Sequence, residues 1–242
     1  TADVILAMQR HGIDMIEVGI PFSDPLADGP VIQSAGTVAL KNGMTLETLF
    51  GQLDAIKSQV NIPLVLMGYL NVIMHYGYGR FCQRCVECGV SGFIIPDLPF
   101  DDYLNEIKPL ADRYNLRCIM MITPETSEER IRFIDRNTDG FIYMVSSASI
   151  TGAQQNFDEA KQQYFQRINA MNLHNPRMIG FGISNRQTLE SAQNNAAGAI
   201  IGSKFVTLLR ATGNADEALS QLFDALKKSV SYTHLTLPTN RE

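Results

Sequence analysis

Long apolar runs, blocks of basic residues and a high cysteine content are all missing from this chain of 242 residues. No apolar stretch approaches the roughly 18 residues that a membrane helix needs, so we expect a soluble protein with no membrane partner. The 20 Lys and Arg side chains, set against 25 Asp and Glu, form no basic block, which argues against nucleic acid as a partner. Four cysteines and no recognisable secretory leader favour a protein of the reducing cytoplasm over a secreted protein with a disulfide scaffold. A small molecule or another protein is therefore the expected partner.

The two ends of the chain differ in character from the rest. Thr1 stands where a Met is usual and already lies in a helical pattern, so we expect an upstream segment that belongs to the same fold. Residues 214–228 have the pattern of a complete amphipathic helix, and the Ser/Thr-rich residues 229–242 after it are interpreted as a non-native tail. The expected domain is therefore residues 1–228, incomplete at its N-terminus.

Short β-branched runs alternate with helical patterns along the chain and predict seven strands. The runs are Met15–Ile20, Leu64–Met67, Gly92–Pro96, Arg117–Ile122, Phe141–Val145, Met178–Phe181 and Ala199–Ile201. Repeated βα units build either an open doubly wound sheet or a (β/α)8 TIM barrel. Because the opening helical pattern needs a strand before it, we favour an α/β fold of the (β/α)8 TIM-barrel type whose first strand is missing from this chain.

Two of the helical spacers have clear start signals. Thr45 is expected to cap a helix that starts at Leu46. Ser184 and Gln187 have the spacing of a capping box and predict the start of another helix. These helices would be the α parts of successive βα units.

The first predicted strand carries a carboxylate, Glu17, in an otherwise apolar run. Alternation places Ile16, Val18 and Ile20 toward the helices and Glu17 toward the barrel interior. An ionised carboxylate is costly to bury unless it has a partner or is kept protonated. An ion pair with Lys or Arg would make Glu17 structural, but a carboxylate near the C-terminal mouth of a barrel is more typical of catalysis.

The loop after this strand, residues 21–30, contains three prolines, one glycine and two carboxylates, Asp24 and Asp28. An Asp-Pro or Asp-Gly pair alone marks a turn more often than a catalytic group. Asp24 is therefore interpreted as a residue that caps the turn before Pro25. Asp28 is the candidate second carboxylate of the site.

Three later βα junctions are rich in small residues: 150–153, 180–184 and 201–204. Glycine lets backbone N–H groups approach an anion, and Ser203 opens a helix whose N-terminus carries partial positive charge. Each junction alone indicates little, because tight turns need glycine for their own geometry. Barrels commonly hold phosphate after their last strands, so the three junctions together predict a phosphate site.

The run Cys82-Gln83-Arg84-Cys85-Val86-Glu87-Cys88 has a spacing that occurs in zinc and iron–sulfur sites. It lies in a helical spacer, however, where its cysteines occupy neighbouring positions of one helix. Cys118 lies in a separate predicted strand. We therefore interpret the cysteines as small apolar residues that pack against the sheet, and predict no metal.

Residues 17–30 closely resemble the signature of the tryptophan synthase alpha subunit family. The resemblance continues through Met67–Asn71, Pro96–Pro99, Tyr143, Ser146–Gly152, Gly180–Ser184 and Gly202–Ser203, and covers about residues 1–228. It implies a (β/α)8 barrel and a lyase of tryptophan biosynthesis. Such a lyase cleaves a carbon–carbon bond of indole-3-glycerol phosphate to give indole and glyceraldehyde 3-phosphate.

The resemblance also implies a role for each matching residue. Glu17 would be the catalytic acid–base, and Asp28 would be the catalytic carboxylate that hydrogen-bonds the indole N–H. The substrate-binding positions that it implies are Tyr69, Tyr143, Thr151, Gly152, Gly182, Gly202 and Ser203. It implies neither a metal nor a cofactor in this subunit.

The partner implied by the resemblance is a pyridoxal-phosphate-dependent β subunit, which receives indole through a tunnel in an α2β2 complex. Two alternatives stay open at this point. The chain could be another phosphate-binding barrel enzyme, such as indole-3-glycerol phosphate synthase, or a catalytically impaired fragment that only docks on a partner. Measuring indole release without and then with the β subunit separates catalysis from docking.

Overall fold

The computed structural model describes residues 1–145, 159–180 and 182–227, in which strands alternate with helices. The strands are β1 (Ile16–Gly19), β2 (Leu64–Met67), β3 (Gly92–Ile94), β4 (Arg117–Ile122), β5 (Ile142–Val145), β6 (Arg177–Gly180) and β7 (Gly198–Ala199). The chain divides into two compact units, residues 1–119 and 120–242. All seven predicted strands are confirmed, with their ends shifted by at most two residues.

The helices fill the spacers between the strands. They are α1 (Ala2–Arg10), α2 (Pro30–Lys41), α3 (Leu46–Asp54), α4 (Leu70–Tyr76), α5 (Tyr78–Glu87), α6 (Phe100–Asp102), α7 (Lys108–Arg113), α8 (Glu128–Asn137), α9 (Glu159–Ala170), α10 (Arg186–Gln193), α11 (Ser203–Thr212) and α12 (Ala215–Lys227). A π-helical turn, Tyr103–Ile107, joins α6 to α7. Among the described helices, none is long and apolar enough to cross a membrane.

Each strand pairs in parallel with the next strand in the sequence. In the first unit, Val65 of β2 pairs with Glu17 on one side and Gly92 on the other. In the second unit, Met178 of β6 pairs with Tyr143 and with Gly198. Every residue of β2 and β5 is buried, as expected for parallel strands covered on both faces.

The core of the first unit is built around three phenylalanine rings from α3, α5 and β3. The ring centroids of Phe50 and Phe81 are 6.0 Å apart, and those of Phe81 and Phe93 are 5.4 Å apart in an edge-to-face arrangement. All three side chains are fully buried. This packing fixes the two helices against the sheet, and thereby the strand ends from which the loops project.

The start of α3 is confirmed, because the Thr45 hydroxyl accepts a hydrogen bond from the Thr48 N–H at 3.1 Å. The predicted capping box at Ser184 and Gln187 is wrong. Asn185 caps α10 instead, and its side chain accepts from the Thr188 N–H at 3.0 Å while the Thr188 hydroxyl accepts from the Asn185 N–H at 3.3 Å. The register of α10 buries Thr188 and leaves Gln187 in solvent, so the glutamine does not take part in the cap.

The four cysteines are free and buried, as their helical and strand positions predicted. Cys82 and Cys85 lie on the buried face of α5, and Cys118 lies on β4. Burial raises the pKa of the Cys82 thiol to about 11 and raises that of Cys85 still further. The thiols are therefore protonated packing groups, and the described residues contain no cluster of three His, Cys, Asp or Glu side chains placed to hold a metal ion.

Candidate active site

Glu17 lies on the face of β1 opposite Ile16 and Val18. Both of these apolar side chains are buried, as is Ile20 just beyond the strand, which confirms the predicted alternation. The Glu17 residue keeps part of its surface in contact with solvent. Many protein atoms nevertheless lie near its carboxyl group, and the resulting desolvation raises its pKa to about 7, with the negative charge of Asp28 adding to the effect. A carboxyl group with this pKa can both give and take a proton near neutrality.

The alternative structural role for Glu17, an ion pair with Lys or Arg, has no support in the part of the chain that the structure describes. No hydrogen bond or ion pair to its carboxylate is found there. An unpaired carboxylate with a raised pKa is the arrangement expected of a catalytic acid–base rather than of a packing residue.

The loop of residues 21–30 folds back on itself through two backbone hydrogen bonds. The Leu26 N–H donates to the Asp24 carbonyl at 2.9 Å, and the Asp28 N–H donates to the Pro25 carbonyl at 3.1 Å. The Asp24 carboxylate accepts from the hydroxyl of its neighbour Ser23 and is exposed. Asp28, by contrast, is half-buried, and desolvation raises its pKa.

Tyr69, the residue before α4, joins this loop to the end of β2. Its hydroxyl donates to Oδ2 of Asp28 at 3.1 Å and accepts from the Ala27 N–H at 2.9 Å. Its ring stacks on Phe22, with the centroids 5.2 Å apart. The structure therefore brings Glu17, Asp28 and Tyr69 together in the first unit, where the Tyr69 hydrogen bond lowers the pKa of Asp28 and so opposes desolvation.

Gln33 is a second residue that holds the loop, and the sequence did not indicate it. Its side-chain amide donates to the carbonyl of Asp28 at 2.9 Å and to that of Pro25 at 3.3 Å. Gln33 lies on α2, three residues after Pro30, the first residue of this helix. The one signal that could have found it is a polar side chain in the first turn of a helix that follows an irregular, proline-rich loop.

In the second unit, the buried Tyr143 of β5 lies directly against Gly180 of β6. A Cβ atom at Gly180 would collide with the hydroxyl end of the Tyr143 ring, so this close approach requires glycine. The sequence marked Gly180 only as part of a small-residue junction. In the structure, the absence of a side chain at Gly180 makes room for the ring of Tyr143.

The junctions after β6 and β7 lie side by side in the second unit. Ser184 and Lys204 both line one cavity of about 720 Å³. Gly182 has a φ of +84°, and the exposed Gly202 precedes α11 without any side chain capping that helix. Ser203 begins α11 and is also exposed, so the first turn of this helix presents uncapped N–H groups. The predicted site residues Thr151 and Gly152 lie outside the described residues.

The structure has parallel βα units, one carboxylate on the first described strand and another in the loop after it, and glycine junctions after the last strands. These features define an enzyme of the (β/α)8 barrel class. The family model of the tryptophan synthase alpha chain matches residues 1–233. The tryptophan synthase alpha chain of Parabacteroides distasonis is 63% identical over 228 residues, which cover 94% of this chain and 89% of that relative. The corresponding protein of Phocaeicola vulgatus is 64% identical, with 94% and 88% covered.

A solved structure shows the same similarity. The structure of a mutant tryptophan synthase alpha-subunit from Pyrococcus furiosus superimposes with a TM-score of 0.84 at 31% identity, over 93% of this chain and 90% of that one. The chain therefore belongs to the tryptophan synthase alpha chain family. It is a lyase of tryptophan biosynthesis, which cleaves indole-3-glycerol phosphate.

Proposed function

We propose that Glu17 is the general acid–base of this cleavage and that Asp28 stabilises the charge that develops on the indole nitrogen. The observation that carries the proposal is that two interacting carboxylates, Glu17 and Asp28, have different surroundings. Glu17 has a pKa of about 7 and no hydrogen-bond or ion-pair partner among the described residues, and it interacts electrostatically with Asp28. Two carboxylates whose surroundings differ in this way are suited to different roles, one exchanging a proton and the other staying ionised.

The proposed reaction begins when the protonated Glu17 gives its proton to C3 of the indole ring. This step makes the ring an electron sink and places positive charge on its nitrogen, where the Asp28 carboxylate accepts the N–H hydrogen bond. The ionised Glu17 then takes the proton of the glycerol 3′-hydroxyl. The carbon–carbon bond breaks, its electrons restore the indole ring, and the hydroxyl carbon becomes the aldehyde of glyceraldehyde 3-phosphate. Glu17 ends the cycle protonated, as it began.

We further propose that Gly182, Gly202 and Ser203 bind the substrate phosphate. The uncapped N-terminus of α11 supports this, because N–H groups and the helix dipole favour an anion there. Lys204, in the first turn of α11, adds a positive charge. Tyr143, Thr151 and Gly152 are proposed as further substrate contacts on the strength of the resemblance. No cofactor is proposed for this chain.

The proposed partner is the pyridoxal-phosphate-dependent β subunit of an α2β2 complex in the cytoplasm. Two exposed apolar side chains support a docking surface on the first unit: Leu26, which is 84% exposed, and Met74, which is 55% exposed. Leu26 lies in the loop after β1 and Met74 on α4 after β2, and Tyr69 links these two segments. Large apolar groups exposed on neighbouring segments are typical of a protein contact.

The catalytic proposal is tested with Glu17→Gln and Asp28→Asn. We expect each variant to lower kcat by about 10²–10⁴-fold, because one loses proton transfer and the other loses the charge that stabilises the transition state. The KM for indole-3-glycerol phosphate should change little, since both substitutions keep the shape of the side chain. Indole release measured under steady-state conditions gives both constants.

Asp14→Asn is the matched control, because this carboxylate lies just before β1 and burial also raises its pKa. It should keep the parent kcat. If Glu17→Gln also kept the parent kcat, the assignment of Glu17 as the acid–base would be wrong. If Asp28→Asn did so, Asp28 would only be a turn residue.

A further inference from the structure

We propose that Tyr69 and Gln33 are positioning residues that fix the Asp28 carboxylate before substrate binds. The proposal rests on the proposed catalytic role of Asp28. It assigns the Tyr69 hydroxyl to the loop rather than to the substrate, and it gives Gln33 a role that acts through the backbone of this loop.

The hydroxyl of Tyr69 is engaged by two groups of the loop. A tyrosine hydroxyl has one proton to donate, and here it is directed to Asp28. The Ala27 N–H binds the same oxygen at 2.9 Å. Tyr69 itself is held on a fixed support, because the N–H of the next residue, Leu70, donates to Oδ1 of Asp97 at 2.8 Å. The tyrosine therefore ties the Asp28 side chain to the ends of β2 and β3.

Gln33 holds the same loop through different groups. Tyr69 contacts the Asp28 side chain and the Ala27 backbone, whereas the Gln33 amide contacts the carbonyls of Asp28 and Pro25. The loop forms no helix or strand over residues 21–29, so these contacts replace the ladder that a regular element would provide. A carboxylate held at several points loses less freedom when the substrate binds, which is the physical basis of preorganisation.

The hydrogen bond from Tyr69 also acts on the charge of Asp28. Among the described residues of the first unit, the titratable groups that face Asp28 are Tyr69 and Glu17, and Asp97 acts on the Tyr69 hydroxyl. Donation by Tyr69 lowers the pKa of Asp28, while burial raises it. Loss of the hydroxyl should therefore make Asp28 take up a proton at a higher pH.

Tyr69→Phe tests this inference, because it removes the hydroxyl and keeps the ring that stacks on Phe22. We expect kcat to fall about 10-fold with little change in KM, and we expect the acidic limb of the kcat profile to move to higher pH. The alkaline limb, set by Glu17, should stay in place. A carboxyl-carbon NMR titration of Asp28 in the free protein should show the same upward change in pKa without any turnover.

Tyr76→Phe is the matched control. Tyr76 lies on α4, and its hydroxyl donates to the Glu47 carboxylate at 2.7 Å, away from the loop. This variant also loses a tyrosine–carboxylate hydrogen bond, but both limbs of its pH profile should match those of the parent. A merely structural role for Tyr69 predicts a lower melting temperature and no movement of either limb, and that result would overturn the inference.

Combining Tyr69→Phe with Asp28→Asn separates this inference from the function on which it rests. If Asp28→Asn is impaired and Tyr69→Phe has little further effect in that background, Tyr69 acts through Asp28. If Tyr69→Phe lowers kcat equally in both backgrounds, the positioning role is wrong although Asp28 is still catalytic. If Asp28→Asn is as active as the parent, the proposed function itself fails.

Gln33→Met is the test of the second positioning residue. It removes both donated hydrogen bonds at nearly constant size, and it leaves the Asp28 carboxylate and Tyr69 intact. We expect a severalfold lower kcat with no movement of either pH limb, because the hydrogen bonds that the Gln33 side chain makes to described residues go to backbone carbonyls. Gln59→Met, at an exposed position, is the control. A Gln33→Met variant with the parent kcat would remove Gln33 from the proposal.

Discussion

At the scale of single residues, Glu17 combines a favourable pKa for catalysis with a cost to the fold. Desolvation holds its carboxyl at a pKa of about 7, whereas the unfolded chain would titrate near 4.5. The described residues offer it no positive charge to offset that cost. A carboxyl group whose desolvation is not offset by a positive charge is typical of a site where function is maintained at the expense of stability.

The stability cost of Glu17 depends on pH. Below pH 4.5 the carboxyl is protonated in both states, so it has no effect on the free energy of unfolding. Between pH 4.5 and about 7 the folded protein binds the proton more tightly than the unfolded chain, so stability falls as the pH rises. Above about pH 7 the loss is complete.

Glu17→Gln should therefore be more stable than the parent at neutral pH, although it is inactive. Solvent reaches the carboxylate and screens part of the penalty, so we expect a gain of about 1 kcal/mol. Urea unfolding of both proteins across the pH range measures it. The gain should grow from pH 4.5 to 7 and then level off, and a gain that did not depend on pH would show that ionisation of Glu17 is not its cause.

At the scale of elements, the strands could be predicted because their signal lies in adjacent residues. The run Leu64–Met67 is apolar along its whole length, and the run Arg117–Ile122 is apolar after its first residue. The structure gives both strands the predicted bounds. The residues that cap the helices were harder to predict from the sequence. Ser184 and Asn185 are neighbours that both favour an N-cap, and only the register that buries Thr188 decides between them.

Contacts between distant elements could not be predicted in this way. The hydrogen bond from Tyr69 to Asp28 joins residues 41 positions apart, and no periodicity marks it. The space that Gly180 provides for Tyr143 likewise depends on two strands becoming neighbours. Glu17 and Asp28 could be singled out as candidates because the signals that mark them, the strand alternation and the acidic loop after it, lie in adjacent residues, and the resemblance of this loop to a family signature then implied their roles.

The N-terminus of α11 is part of the proposed phosphate site. Gly202→Asp would place a carboxylate where the proposed phosphate site needs partial positive charge. Binding of glyceraldehyde 3-phosphate should weaken at least about 10-fold, while binding of indole should be unchanged. The chain contains no tryptophan, so the fluorescence of bound indole can be followed directly.

Gly202→Ala is the control for this prediction, since it adds bulk without charge and should weaken phosphate binding much less. Equal weakening of indole and glyceraldehyde 3-phosphate by the aspartate variant would point to a damaged fold. The phosphate site would then have no support from this experiment.

At the scale of the whole molecule, the proposed docking surface and the proposed catalytic carboxylate share one loop. Leu26 is exposed, the next residue donates its N–H to Tyr69, and Tyr69 donates in turn to Asp28. A partner that covers Leu26 would restrict the same segment that positions Asp28. We therefore expect the β subunit to raise kcat as well as to receive the product.

Leu26→Ser tests this link between docking and catalysis. Loss of a large apolar contact at an interface costs about 1–3 kcal/mol, so the Kd for the β subunit should rise about 5- to 150-fold while the kcat of the isolated chain stays the same. Val86→Ser, which changes an apolar side chain that is 47% exposed on α5, is the control and should bind the partner like the parent. Indole release measured against increasing β subunit gives both quantities. If the parent released indole equally fast with and without the partner, docking would not act on Asp28. If Leu26→Ser and Val86→Ser bound the partner equally well, the docking surface would lie elsewhere.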